Sequence, residues 1–345
     1  VTGGVNHTRD ERYKGLVTID LRHLNKVLEV DKVSQAARIQ AGVLGPDMEQ
    51  QLKPTGLTMR FFLQAWEFSS LGGWIATRAA GHYATNYTQI DDHVESMRVV
   101  TPQGRIASHR WPTSGAGPNP DRLFLGSEGA LGIITEAWVR LHKKPTFRMA
   151  TTVHFADYEK AVNAVRVISQ AGLFPANARL LEREEARFTE AGDGTKHVLV
   201  LTFESGDHPL DPWMKRALEI CGDFGGEWDT QALQDEESQR KGSAGNWRNK
   251  FLRGPYLRPH AIARGVMRDT MESCVTWDRY MEFQAFVKQR TLKAIREVTG
   301  RDGTCTVRFT HVYPDGPAPY FTWHALGDKS KLVEQFWAIK SAASD

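Results

Sequence analysis

Two glycine-bearing segments in the first part of the chain have the composition of a site lined by backbone. The first runs Trp66-Glu67-Phe68-Ser69-Ser70-Leu71-Gly72-Gly73 and continues through Trp74-Ile75-Ala76-Thr77-Arg78-Ala79-Ala80-Gly81. Two serines before Gly-Gly and a helix-like run read as a helix start, where N–H groups and the helix dipole converge on an anion. The small side chains let a flat ring or a pyrophosphate approach the backbone. An ordinary Ser-capped helix packed through Gly and Ala also accounts for the segment, and on spacing alone it is the stronger reading. The second segment is Gly126-Ser127-Glu128-Gly129-Ala130-Leu131-Gly132-Ile133-Ile134-Thr135. Its glycines recur every third residue and lead into a β-branched strand, so backbone N–H and C=O groups can face a ligand. A Gly-rich turn before a strand is the alternative. The segment is not a Rossmann fingerprint, which needs GxGxxG between a strand and a helix.

Charged and phenolic candidates lie further along. Arg258, with Arg253 and Arg264 nearby, has the forked guanidinium that holds phosphate or carboxylate bidentately; a solvated basic face is the usual fate of such a group. Tyr320, near Arg308 and His311, offers a phenol that moves a proton once its environment is tuned; a strand tyrosine with its hydroxyl at the surface is the ordinary alternative. His82 and His93 match no metal spacing and read as structural. Cys221, Cys274 and Cys305 are widely spaced and form no CxxC, which argues against zinc or a disulfide framework and for a reducing compartment.

These groups need two scaffolds. The 345 residues are enough for two domains, and 41% apolar with 25% charged residues is a globular composition. A net charge of +3 gives no case for nucleic acid. No apolar run is long enough to span a bilayer, and no signal peptide opens the chain. Up to about residue 144, short β-type runs at 16–21, 27–30, 37–41, 95–100 and 132–141 alternate with short helices at 47–53 and 70–80. Lys143-Lys144-Pro145 marks a boundary. Beyond it, strands at 150–155, 178–181 and 198–203 and helices at 158–171 and 212–221 lead to a strand pair, 304–313 and 320–326, around Pro314-Asp315-Gly316. Residues 229–259 are weakly patterned and polar, and 331–344 read as a helix. The pattern predicts an α+β chain with domains at 1–145 and 146–345, the second an antiparallel sheet with helices on one face.

Taken in order, these segments resemble the alkyl-dihydroxyacetonephosphate synthase family of the vanillyl-alcohol-oxidase-type (PCMH-type) FAD-binding superfamily. The resemblance runs through Phe68 to Gly81, Asn86 to Asp92, Thr101-Pro102-Gln103-Gly104 and Leu123 to Thr135. In the second domain it continues through Pro175 to Leu180, Glu272 to Arg279 and Arg308 to Phe321. It implies a two-domain FAD-binding fold with an antiparallel-sheet cap, and FAD as cofactor. Gln64 to Ser70 and Thr77 to Ala80 would line the flavin, and Glu128 to Ile134 the adenosine part. Arg258 falls at the family's substrate-phosphate position, Arg179 at a second functional arginine and Tyr320 at its general acid/base. The implied reaction exchanges the acyl chain of acyl-dihydroxyacetone phosphate for a fatty alcohol without net redox change, the flavin serving as electron sink. A FAD-dependent 2-hydroxyacid (D-lactate-type) dehydrogenase or oxidase is the rival, and a flavin-binding protein without catalysis is a third reading.

The implied partners are the phosphorylated lipid precursor and the fatty alcohol, with peripheral membrane contact and a homodimer as further expectations. The implied setting is the cytoplasm of a bacterium, or the peroxisome of a eukaryote. The sequence departs from the family pattern at Gln64 and Ala65, where an acidic residue and Ser are usual, and in lacking a long loop near Arg187. The family's glycine-rich pyrophosphate loop is expected just before Val1 and its His-rich motif just after Asp345, so the reading is of a bacterial homologue truncated at both ends.

Overall fold

A computed structural model describes residues 15, 17–87, 89–112, 114–229 and 260–344. Arg253, Arg258 and the polar stretch 230–259 lie outside the described residues. The chain divides into two compact units. One comprises Val1–Thr146 with Ser205–Asp207, the other Phe147–Glu204 with His208–Asp345.

In the first unit, strands β1 (Val27–Asp31), β2 (Ala36–Gln40), β4 (Val94–Thr101), β5 (Gly104–Ala107) and β6 (Ile133–Arg140) form a five-stranded sheet in the order β1-β2-β6-β4-β5. Every neighbouring pair is antiparallel. A separate ribbon pairs β3 (Leu57–Thr58) with β7 (His142–Lys143). Helices α1 (Gly45–Leu52), α2 (Leu71–Ala76), α3 (Ala84–Tyr87), α4 (Ile90–His93) and α5 (Asp121–Phe124) complete the unit. Its core gathers Ala37, Ile39, Val99, Ala137 and Val139 from the sheet with Met48, Leu52, Leu71, Trp74 and Ile75 from the helices. Two expectations fail here. Residues 17–21 form no strand, because Val17 and Ile19 stand exposed with no sheet to face. The helix expected over 70–80 ends at Ala76, where Arg78 takes a left-handed φ of 50° that a helix cannot continue.

The second unit is built on a seven-stranded sheet in the order β11-β8-β10-β9-β13-β14-β12. Its strands are β8 (Phe147–Phe155), β9 (Asn177–Leu181), β10 (His197–Ser205), β11 (Glu227–Trp228), β12 (Val266–Glu272), β13 (Thr304–Val312) and β14 (Pro317–Leu326). Helices α6 (Tyr158–Gln170), α7 (Arg183–Phe188), α8 (Asp211–Asp223), α9 (Tyr280–Thr299) and α10 (Leu332–Ser344) surround it. The helix α6 forms because Ala161, Val162, Val165 and Ile168 recur on one face, and Asp157 caps it by accepting from the Lys160 N–H at 2.9 Å.

Strand alternation sorts the sheet into two faces. Ala178, Leu180, Leu199, Leu201 and Phe309 pack with the helical residues Val165, Met214 and Tyr280. Val307, Phe321 and Trp323 pack with Ile295 and Ile339. The opposite face carries Arg179, Thr306, Arg308 and Thr322, all buried, together with Tyr320. The short α7 packs there too, through Ala186 against Leu181, Val198 and Val200. Helices therefore occupy both faces rather than one. The fold is the α+β, antiparallel-sheet architecture read from the sequence.

Candidate functional site

The two glycine segments meet in the first unit. The Gly126 N–H donates to Ile75 O at 3.1 Å and the Glu128 N–H to Ala76 O at 2.9 Å, so the second segment is bonded to the end of α2. Gly126 has a φ of 78°, and a Cβ there would lie 2.7 Å from Arg78 Cδ. Gly132 has a φ of 157°, and its Cβ would lie 2.8 Å from Val100 O. These two positions therefore need glycine. Between them, Glu128, Gly129, Ala130 and Leu131 are exposed, as are Phe68, Gly73, Thr77 and Arg78. Ile133 and Ile134 enter β6 and pair with Val100 and Val99.

The helix start does not behave as an open anion site. The Leu71 N–H donates to Val43 O at 3.1 Å and the Gly72 N–H to Ala41 O at 2.8 Å. Both are therefore committed to backbone carbonyls. Ser70 begins α2 without a side-chain cap bond. Ser69 Oγ donates to Ala65 O at 2.7 Å and accepts from Trp74 Nε1 at 2.8 Å, so it braces the segment instead. Trp66, Glu67 and Phe68 form a 3₁₀ turn. The Trp66 indole lies over Gly45, where a Cβ would come within 2.3 Å of its Nε1. Gln64 and Ala65 are half-buried beside it. Ala79 O accepts from the Ile90 N–H at 3.3 Å, and Ala80 bridges Gln89.

Arg78 is fixed by a partner that the sequence reading did not single out. Its Nη2 donates to Asp91 Oδ2 at 2.8 Å, and Arg122 Nη1 donates to the same oxygen at 2.9 Å. One nearly buried carboxylate thus holds two half-exposed guanidiniums at this edge. The signal was available in Asp91-Asp92 and in Arg122 four residues before Gly126. His93 is buried, with Nδ1 3.1 Å from Gln89 O, and it meets His142 ring to ring at 5.5 Å. Burial holds both imidazoles below their ordinary titration range. Among the described residues no group of three or more metal-ligating side chains exists.

In the second unit, Arg179, Arg308 and Tyr320 stand on the same sheet face. Arg308 lies directly opposite Tyr320 across β13 and β14, and its Cζ sits 4.1 Å from the centre of the Tyr320 ring. Arg308 Nη1 also donates to Glu185, which in turn accepts from Thr306 Oγ1. Glu185 and Arg308 are 2% and 8% exposed, so this is a buried ion pair. Arg179 is 2% exposed, and its Nη2 donates to Thr310 O at 3.2 Å. On the other flank of Tyr320, β12 places Glu272 directly opposite, and Glu272 accepts from Thr310 Oγ1. Glu185, Glu272 and Thr310 escaped the sequence reading because a lone carboxylate or threonine has no spacing signal. Arg264 Nη1 donates to His260 O at 3.1 Å, and Arg258 lies outside the described residues.

Two domain models divide the chain. A FAD binding domain matches residues 1–109, and the C-terminal domain of FAD linked oxidases matches residues 144–342. The chain belongs to the FAD-linked oxidase family. Its cofactor is FAD. Exposed backbone at Gly73 and Gly129, free of Cβ atoms and flanked by the ordered Arg78, fits such a group. The chain is 29% identical to an alkyldihydroxyacetonephosphate synthase of Dictyostelium discoideum over 100% of its own length and 59% of that protein's. It spans about three fifths of the length of that relative. A solved alkyldihydroxyacetonephosphate synthase structure superposes with a TM-score of 0.78 at 27% identity, covering 94% of this chain and 61% of that one. A D-lactate dehydrogenase [cytochrome] of Saccharomyces cerevisiae is 31% identical over 55% of the chain and 32% of its own length.

Proposed function

We propose that this FAD-linked oxidase relative takes part in exchanging the acyl chain of acyl-dihydroxyacetone phosphate for a fatty alcohol, forming an ether bond. The observation that carries the reading is the extent of the likeness. The synthase of Dictyostelium discoideum aligns with the whole chain, the D-lactate dehydrogenase with 55% of it. The whole of the second unit is therefore included in that likeness.

Bound FAD supplies an electron sink for the exchange. Gln64 to Ser70 and Thr77 to Ala80 would line its flavin, and Glu128 to Ile134 its adenosine part. Arg258 binds the substrate phosphate, Arg179 supplies positive charge and Tyr320 moves the proton. The Arg308 guanidinium over the Tyr320 ring fixes the plane of the phenol. Because Glu185 offsets the charge of Arg308, that arginine holds Tyr320 rather than binding a second anion. The test is incubation of the FAD-loaded protein with acyl-dihydroxyacetone phosphate and a labelled fatty alcohol. Labelled ether product without an added electron acceptor supports the exchange. Oxidation of D-lactate coupled to an acceptor, with no ether product, overturns it in favour of a dehydrogenase.

A further inference from the structure

The register of the central hairpin breaks at one residue. Thr304 to Phe309 on β13 pair in step with β14, ending at Phe309 opposite Pro319, but His311 faces Ala318. Thr310 is thus the extra residue of a β-bulge, a device that re-aims a side chain out of its expected row. The partner strand is unusual beside the bulge. Pro317 and Pro319 on β14 have no N–H to donate, and proline inside a sheet is tolerated at bulges. Out of the ladder's step, Thr310 reaches three neighbours through its carbonyl and one shared hydroxyl proton. Its carbonyl accepts from Arg179 Nη2 on β9 at 3.2 Å. Its hydroxyl is directed at Ala318 O on β14 at 3.1 Å and at Glu272 on β12. Glu272 stands directly opposite Tyr320, whose other neighbour is Arg308. Strands β9 and β14, which carry Arg179 and Tyr320, are therefore tied to β13 and β12 through one threonine and one carboxylate.

We propose that Thr310 and Glu272 are positioning residues that fix Tyr320 and Arg179 relative to one another, an assignment that rests on the exchange reaction proposed above. Thr310→Val removes the hydroxyl at nearly constant volume, and Thr310→Ser restores it. Glu272→Ala removes the acceptor, and Glu272→Gln keeps an acceptor without the charge. In the FAD-loaded protein, Thr310→Val and Glu272→Ala each lower kcat on the order of 10-fold, as misplacement of reacting groups does. KM for the fatty alcohol and flavin content stay at wild-type values. Thr310→Ser and Glu272→Gln stay within about twofold of wild type, and the double variant is no slower than the slower single one, because both act through one bond. Wild-type kcat in Thr310→Val, or losses that multiply in the double variant, overturns the assignment. If the wild-type protein shows no exchange, the exchange reading falls by itself, and 19F NMR of 3-fluorotyrosine placed at position 320 decides this one. A resonance displaced or broadened by Thr310→Val and restored by Thr310→Ser supports positioning, and one that stays in place overturns it.

Discussion

Glu185 is 2% exposed, and a carboxylate taken that far from water is sustained by its partners, Arg308 and Thr306. Removing one member of such a pair leaves the other charged, buried and unmatched. Glu185→Ala is therefore expected to destabilise the second unit by about 3–5 kcal/mol, read as a lowered denaturant midpoint. A loss below about 1 kcal/mol, the range of surface pairs, would show that the pair is solvated. Tyr320 is the more consequential residue for chemistry. Tyr320→Phe is expected to lower turnover by roughly 10²–10⁴ while the flavin absorbance of the purified protein is unchanged. Retained turnover would return Tyr320 to the role of a strand residue and leave Arg308 merely packed on its ring.

At the scale of elements, local rules explain what the sequence disclosed and what it hid. The helix Tyr158–Gln170 was legible because its buried positions are all apolar and fall at helical spacing on one face. The longer helix Tyr280–Thr299 was not, because Gln284 and Thr291 occupy buried positions and break the stripe. The strand Val266–Glu272 was not legible either, because the adjacent charges Arg268 and Asp269 interrupt any apolar alternation. For the candidate site, the glycine segments announced themselves, whereas the carboxylates that hold Arg78 and Arg308 did not. Partners 13 and 123 residues away in sequence leave no periodic trace. The glycine segments also yield a prediction. Gly132→Ala combines a left-handed backbone with a Cβ 2.8 Å from the Val100 carbonyl. It should cost more than about 1 kcal/mol and lower flavin retention, seen as a reduced ratio of flavin to protein absorbance. Gly129→Ala, with open space around its Cβ but the same handedness at φ 84°, should cost less. Equal losses in the two variants would mean that strain, not collision, decides.

For the molecule as a whole, histidine burial sets the acid limit. Burial holds His93 and His154 below their ordinary pKa of 6.5, and takes His142 to about 3 and His197 and His324 to about 4. Below pH 6.5 the unfolded chain binds protons that the folded chain refuses, so stability is full above that pH and falls as pH drops towards 4. Glu49, raised by burial, works in the opposite sense and offsets part of the fall. Thermal melting should therefore decline between pH 6.5 and 5, and His142→Phe should flatten the slope; a level profile in the native protein would refute the assignment. Removing FAD should lower the melting temperature as well, since a ligand at a hundredfold excess over Kd stabilises by about 2.7 kcal/mol.

The prolines of β14 have a consequence for how the chain finds this arrangement. A strand that slips by one residue turns every side chain to the opposite side of the sheet. Here a one-residue slip of β14 would turn Phe321 and Trp323 out of the cluster they share with Ile295 and Ile339 and put Tyr320 and Thr322 in their place. Pro317 and Pro319 present no amide hydrogen and in the native alignment face Val275 and Ser273, so a one-residue slip that turned them towards β13 would leave its carbonyls without a donor. The two prolines thus act as a ratchet, admitting the alignment that seats Thr310 between its partners and refusing its neighbours.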